Sequence, residues 1–420
     1  MVVVSYLLSF KLIADRLGPP GFAEYALSRR SLSLLSPLVL LSLDLSVARF
    51  ASFASVNDQE ARRGYLTAAL VMMLAAVAVV SLVLLLFPEP ISQLVFGSGQ
   101  YRGLVVSLPA LLLGLSLNNV VGHYLRGCLR IQVANVMFAI NQAVIPLAAV
   151  AFGGGDVGLI LLEMGAAWTA VSLVFLAFIG VDARDLRHHM RELAGFGLPR
   201  VPGDFLQLAL FSIPAFLVAH LAGLQEAGLV AFGIAGLGLV ASALSPISFV
   251  LLPNASRLVA AGGVDQLRRQ VQWLSRATVG GLLIVTVLFE VLSRPIISAY
   301  LGPQFVGGEF FLRIVLLGAI PWGLFVTLRS VLDARHTRAY NTRNLGFGLG
   351  LFVALSGLGL AITGSSTAVI VAFVASLYLV AILTVVQAYR AVRMGAPSGG
   401  ETEPVPGVLT DVTDGHPLRS

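Results

Sequence analysis

Apolar runs long enough to cross a lipid bilayer follow one another through this chain, and short segments between them gather its charge. A hydrocarbon core about 30 Å thick needs about 20 apolar residues per helical crossing. Read with a window of about 19 residues, the sequence predicts twelve helices, near 2–14, 22–43, 64–87, 103–125, 132–152, 157–181, 203–221, 227–252, 277–299, 308–330, 343–363 and 366–389. Of 420 residues 57% are hydrophobic and only 11% charged, against about 25% charged in soluble domains. The fold class expected is an all-α polytopic membrane protein. The first run is short: Val2 to Ala14 reaches about 20 Å as a helix. Either that crossing is half-length or the chain begins further upstream. No basic leading region or small-residue cleavage site marks a signal peptide.

The second regularity is internal. Leu17-Gly18 follows the first predicted helix and Ala222-Gly223 the seventh; Phe96-Gly97 follows the third and Leu301-Gly302 the ninth. From 18 to 223 and from 97 to 302 the offset is the same 205 residues, close to half the chain. VFGSGQYRGLVVSLPALLLGL and YLGPQFVGGEFFLRIVLLGAI read as diverged copies of one helical hairpin. Two six-helix lobes in the same order imply a parallel repeat about an axis along the membrane normal, with a central cavity between the lobes. The domains expected are an N-terminal lobe over 1–195, a C-terminal lobe over 196–393, and a tail over 394–420. That tail is rich in Gly, Pro, Ser, Thr and acids, a composition that favours disorder.

Charge then orients the chain. The formal net charge is +6, and Lys11 is the only lysine. In a soluble chain that excess would suggest nucleic acid, but here it sits in membrane loops, and no nucleic-acid partner is expected. Sixteen arginines, among them Arg49, Arg62, Arg63, Arg126, Arg130, Arg187, Arg200, Arg268, Arg269 and Arg338, lie in or beside the even-numbered loops. Only Arg16, Arg102 and Arg294 lie in or beside the odd ones. By the positive-inside rule both termini face the cytoplasm of a cell membrane crossed many times.

One predicted crossing is different in kind. Arg29 and Arg30 sit about two turns inside the second helix, roughly 10 Å below the surface if the helix starts at Phe22. Charge at that depth costs a few kcal/mol per residue unless it meets a wet cavity or a partner. Snorkelling is one solution; lining a cavity is the other, and a polar stripe through Ser33 and Ser36 supports it. Asn118, Asn119, Asn141, Gln142 and Gln207 are further polar groups within crossings, as interhelical hydrogen bonds or as ligand contacts. Glu163, six residues into the sixth helix, has no local partner; it is a candidate to neutralise Arg29 or Arg30, or to bind a coupling proton. Glu290 with Arg294, and Glu309 with Arg313, are spaced for i,i+4 ion pairs. Six prolines, from Pro37 to Pro321, fall inside predicted crossings, where they favour kinks.

Enzyme classes find little support. The odd loops are short and carry no Asp, Glu or His cluster, so an embedded glycan polymerase or ligase lacks its acid–base groups. No P-loop pattern occurs. With Cys128 as the sole cysteine, neither a disulfide within the chain nor a cysteine metal cluster is possible. No catalytic residue, metal or cofactor is expected.

The stretch RLGPPGFAEYALSRRSLSLLSPLVLLSLDLSVARFAS resembles the corresponding part of bacterial polysaccharide flippases of the multidrug, oligosaccharidyl-lipid and polysaccharide exporter superfamily. Gly18, Phe22, Tyr25, Leu41–Leu45 and Arg49-Phe50 fill the places of that pattern, while Ala23 and Ser42 replace its usual glycines. AGFGLPRVPGDFL (194–206) and LLPNASRLVAAG (251–262) resemble the segments entering the seventh helix and leaving the eighth. The resemblance covers residues 1 to about 390. It implies a flippase that carries a lipid-linked oligosaccharide or polysaccharide precursor to the outer leaflet by alternating access. Arg29 and Arg30 would then hold a lipid pyrophosphate-linked saccharide as charge-assisted partners. Asn118, Asn119, Asn141, Gln142 and Gln207 would contact sugars, and Glu163 would couple an ion. Other envelope glycan assembly proteins would be partners. A cation-coupled multidrug exporter of the same superfamily is the alternative, though an arginine pair is the wrong sign for it.

Overall fold

The structure is a computed structural model and describes residues 2–54, 58–260, 264–335 and 340–393. The predicted tail after Met394, and Arg338, lie outside them. The described residues are helical throughout their ordered elements, with no strand among them. In chain order the helices are α1 (Val2–Leu40), α2 (Leu43–Phe53), α3 (Gln59–Leu86), α4 (Pro88–Phe96), α5 (Arg102–Gly127), α6 (Ile131–Ala139), α7 (Ile145–Phe152) and α8 (Val157–Ile179). There follow α9 (Leu186–Gly197), α10 (Val201–Leu221), α11 (Leu224–Ala260), α12 (Val264–Tyr300), α13 (Glu309–Leu316), α14 (Ala319–Arg335), α15 (Tyr340–Thr363) and α16 (Ser366–Arg393). Among the described residues, ten helical segments are long and apolar enough to cross a membrane; α1 with α2, bent by 46°, makes an eleventh.

That eleventh segment contains two of the predicted crossings. Gly18 inside α1 has φ 62° and ψ −166°, a conformation essentially reserved for glycine, and the chain doubles back there. Phe10 and Tyr25 would stand about 22 Å apart in a straight helix, yet their ring centroids are 5.3 Å apart. Phe10 and Phe22 are 5.4 Å apart. The predicted first and second helices are therefore an antiparallel pair, and the two-lobed architecture follows.

The repeat has a backbone signature. Gly18, Gly97, Gly223 and Gly302, the four glycines matched by the 205-residue offset, all have positive φ, at 62°, 75°, 103° and 113°. Gly18, Gly223 and Gly302 follow the ends of crossings and Gly97 ends the short α4 that follows α3; at each the chain takes a turn that an L side chain resists.

Two predicted crossings are interrupted. The fifth is α6 and α7 joined by a π-helical turn, Ile140–Val144. Pro146 lacks the N–H that would continue the ladder through that turn. The tenth breaks between α13 and α14 at Leu317-Gly318. Two other crossings run longer than hydropathy indicates: α11 continues to Ala260, and α12 begins at Val264 rather than near 277. The added start of α12 is amphipathic, and Leu267 and Val271 bury against Leu328, Val331 and Leu332. A window tuned to apolar runs misses such a face. It also misses α9, whose buried His189 and Leu193 pack on α2 and α3 while its arginines stay outside.

The lobes meet at the end that carries the four glycine turns. Phe22 of the N-terminal lobe packs against Phe305 at 5.0 Å and Phe232 at 5.5 Å, and Phe10 against Phe232 at 5.1 Å. A Cβ on Gly228 would come within 2.5 Å of the Ala23 Cα, so only glycine allows α11 to approach α1 this closely. Towards the arginine-rich end the contact loosens. Ala227, Val230, Ala231, Ile234 and Leu237 of α11 are buried, but Gly238, Ser242, Ala243 and Pro246 are exposed. There the turn between α1 and α2 touches α10 through a hydrogen bond from Ser42 to the Asp204 carboxylate, 2.8 Å.

Candidate functional site

Arg29 and Arg30 lie side by side on the returning half of α1, half-buried, and one helical step of about 100° sends them in different directions. Arg30 crosses to the other lobe: its Nε and Nη2 both donate to the Ala231 carbonyl of α11, at 3.3 and 3.2 Å. From α10, Ser212 donates to the Arg30 carbonyl at 3.4 Å. Arg29 turns into its own lobe, its guanidinium carbon 5.5 Å from the centroid of the Trp168 ring on α8. Its Nη1 is buried without a hydrogen-bond partner. Among the described residues neither arginine is ion-paired with a carboxylate. One guanidinium thus joins the two lobes and its neighbour lies inside the N-terminal lobe, neither paired with a carboxylate, and Arg29 Nη1 is a buried donor without a partner.

Behind Arg29 runs a buried polar chain. Trp168 donates its indole N–H to the Asn141 carbonyl in the π-helical turn. The Asn141 amide donates to the Asn118 side-chain oxygen at 2.8 Å and to the Ser172 hydroxyl at 3.4 Å. Asn118 and Asn141 are fully buried, and each keeps one unpaired amide atom, Nδ2 and Oδ1 respectively. Arg29, Asn118 and Asn141 are therefore linked through Trp168. The single tryptophan of the sixth crossing was the available signal, since a buried indole N–H needs an acceptor. The Ala231 carbonyl is backbone and left no trace in the sequence.

The other candidates lie elsewhere. Asn119 is half-buried, its carbonyl 2.9 Å from His123 Nδ1. Gln142 is half-buried within the π-helical turn. Gln207 lines a separate cavity of about 230 Å³ with Ser36, Ser42, Asp44 and Asp204. The hydroxyls of Ser33 and Ser36 bond back to Arg29 and Ser33 carbonyls of their own helix, at 3.0 and 2.8 Å, the usual resort of serine inside a helix.

Glu163 does not neutralise the arginines. It is exposed and borders the turn after α7, where a Cβ on Gly153 would lie 2.6 Å from its Oε2. Five residues separate it from Trp168, which places the two about 140° apart around α8. The expected i,i+4 pairs also exchange partners: Arg294 binds Glu309 at 2.8 Å, and Arg313 binds Glu290 at 2.6 Å. Both bridges clamp α12 to α13 instead of bracing one helix.

A larger cavity, about 570 Å³, opens between α1, α5 and α8 near the glycine-turn end. Glu24, Asp156, Gln100, Tyr101 and Ser107 line it. No group of three or more potential metal ligands occurs among the described residues.

No protein-family model and no curated protein matches the chain. Solved structures do. An inward-facing multidrug resistance MATE family transporter of the MOP superfamily aligns with TM-score 0.72 at 13% identity, over 93% of this chain and 94% of its own. An outward-facing one aligns with TM-score 0.64 at 14% identity, over 93% of both chains. The Vibrio cholerae MATE transporter VcmN in its bent form aligns with TM-score 0.59 at 15% identity, again over 93% of both. The polypeptide thus has the two-lobed, all-helical membrane fold seen in MATE transporters of the MOP superfamily.

Proposed function

We propose that this protein is a flippase that moves a lipid pyrophosphate-linked saccharide from the cytoplasmic to the outer leaflet of the cell membrane by alternating access. The observation that carries the reading is the Arg29–Arg30 pair: adjacent guanidinium groups, one crossing the lobe interface and one turned into its own lobe, no carboxylate on either among the described residues, and a buried donor, Arg29 Nη1, left free. Planar guanidinium forks match diphosphate oxygens. A cavity for a cationic drug would instead present acids.

The conformation supports the same cycle. Aromatic rings seal the lobes at the end opposite the arginine-rich loops, and the likeness is greater to the inward-facing transporter than to the outward-facing one. With both termini cytoplasmic, this is the state that would receive a substrate made inside the cell. Arg30 is held by Ala231 only while the outer end is shut, so opening outward would release it. Asn119, Gln142 and Gln207 are proposed sugar contacts, of which Gln207 lies in the cavity nearest the inner end; Asn118 and Asn141, fully buried against each other, lose that proposal and hold the lobe together instead. Glu163, exposed and distant from the pair, keeps only its ion-coupling proposal. No catalytic group or cofactor is required, and envelope glycan assembly proteins would supply and consume the carrier.

One observation favours a multidrug exporter: Glu24 and Asp156 face a single roomy cavity, a setting for a cation. It lies within one lobe, away from the arginines. Reconstitution separates the readings. Proteoliposomes containing the protein should move a fluorescent polyprenyl-diphosphate saccharide between leaflets, and those with Arg29→Gln/Arg30→Gln should not. Transport of a cationic dye with no movement of the saccharide would replace the flippase by the exporter.

A further inference from the structure

A second pair of cations lies at the arginine-rich end, away from Arg29 and Arg30 and beside the 230 Å³ cavity. There α2 leaves α1 at 46° and presents Leu45, Arg49 and Phe53 on one stripe, each four residues from the last. The Arg49 guanidinium carbon is 4.4 Å from the centroid of Phe196, at the end of α9, and 5.4 Å from that of Phe53. Arg200, just before α10, places its own guanidinium carbon 3.7 Å from the same Phe196 ring. Two cations therefore share one aromatic ring.

Stacking engages the flat face of a guanidinium and leaves its in-plane N–H fork open. Arg200 gives one N–H to the Phe196 carbonyl; Arg49 donates no hydrogen bond among the described residues. Asp44 and Asp204 lie close by in the 230 Å³ cavity, yet neither forms an ion pair with Arg49 or Arg200, and Asp204 is bonded by Ser42. Around the pair the surface is apolar: Leu45 is 50% exposed, Phe53 71% and Leu198 47%. Asp204 attracts Arg200 through space without a direct ion pair, so cations with open N–H groups beside exposed apolar side chains at a membrane boundary still match an amphiphile with an anionic head.

We propose that Arg49 and Arg200 bind the phosphate headgroup of an anionic phospholipid in the leaflet at the arginine-rich end, with its tail against Leu45, Phe53 and Leu198. Arg49 belongs to the N-terminal lobe and Arg200 opens the first crossing of the other, so the headgroup bridges the lobes at the end where their contact is loosest. This site is independent of what the transporter carries.

The test is native mass spectrometry of the detergent-purified protein titrated with phosphatidylglycerol, phosphatidylcholine or inorganic phosphate. Phosphatidylglycerol should bind in preference to phosphatidylcholine, and Arg49→Gln/Arg200→Gln should weaken it roughly 30-fold, the contribution expected of two arginines near the surface. Arg29→Gln/Arg30→Gln should bind it as the unaltered protein does. Arg49→Gln alone leaves no hydrogen bond unmade, so it gives the answer should the double variant fail to fold; it should lose roughly 5-fold. Unchanged phosphatidylglycerol binding in the Arg49 and Arg200 variants would overturn the proposal. So would equal loss in the Arg29 and Arg30 variant, or displacement of the lipid by inorganic phosphate.

Discussion

Arg30 reaches the Ala231 carbonyl with two donors, at 3.3 and 3.2 Å, across a sequence separation of 201 residues. It ties the returning half of α1 to α11 between the aromatic contacts of Phe10, Phe22 and Phe232 and the exposed part of α11. In the proposed cycle this bond would hold while the lobes are together at that end and would be lost when they part.

The closeness of α1 and α11 rests on Gly228, where a Cβ would lie 2.5 Å from the Ala23 Cα. Backbone cannot move aside as a flexible side chain can, so Gly228→Val should overpack the lobe contact and cost about 1–3 kcal/mol. Thermal unfolding in detergent should show a lower midpoint. An unchanged midpoint would mean that the lobes are not held this tightly.

The exchanged ion pairs predict a particular pattern of coupling. A double-mutant cycle on Glu290 and Arg313 should give a favourable interaction, and one on Glu290 and Arg294 should give none. Coupling confined to Glu290 and Arg294 would restore the single-helix pairing that their spacing suggests.

Inside the N-terminal lobe, Asn141→Ala would strand the Asn118 oxygen in an apolar core. Leaving a buried polar group unpaired costs about 1–3 kcal/mol. Replacing both residues by leucine should cost less than the two single alanine changes combined, because no orphan remains. Midpoints from thermal unfolding of the four proteins decide it.

Orientation is open to direct test at the loop after α5. Leu129 is 80% exposed, whereas Cys128 is half-buried. The proposed cytoplasmic placement of both termini predicts that Leu129→Cys in a Cys128→Ser background resists a membrane-impermeant thiol reagent in intact cells and reacts after permeabilisation. Labelling in intact cells would invert the topology.

Much of this architecture was legible because lipid imposes it. A crossing must be apolar and about 20 residues long, so the twelve runs stand out, and the glycine offset marks the repeat since only glycine takes the turns at Gly18, Gly97, Gly223 and Gly302. What escaped was amphipathic or tertiary. The start of α12 and all of α9 bury one face only, so an average over a window hides them. Spacing knows only its own helix, so Glu290 was matched to Arg294 rather than to Arg313 on a neighbour. The arginine pair was visible as misplaced charge, but its partners, a backbone carbonyl and an indole face, belong to distant segments. Glu163 shows the reverse case: an unpaired acid looked available to the pair, yet its helical phase turns it away from Trp168.

Arg29 and Arg30 either serve transport or merely tolerate the membrane, and one measurement separates the two. The measurement is surface glycan, with intracellular lipid-linked saccharide, in cells whose Arg29→Gln/Arg30→Gln protein is present at wild-type levels. Removing both charges should abolish surface glycan and cause the lipid-linked precursor to accumulate inside; Arg29→Lys/Arg30→Lys should retain part of the activity, since charge survives without the planar fork. Normal surface glycan in the double Gln strain would contradict the cationic site and leave only the fold.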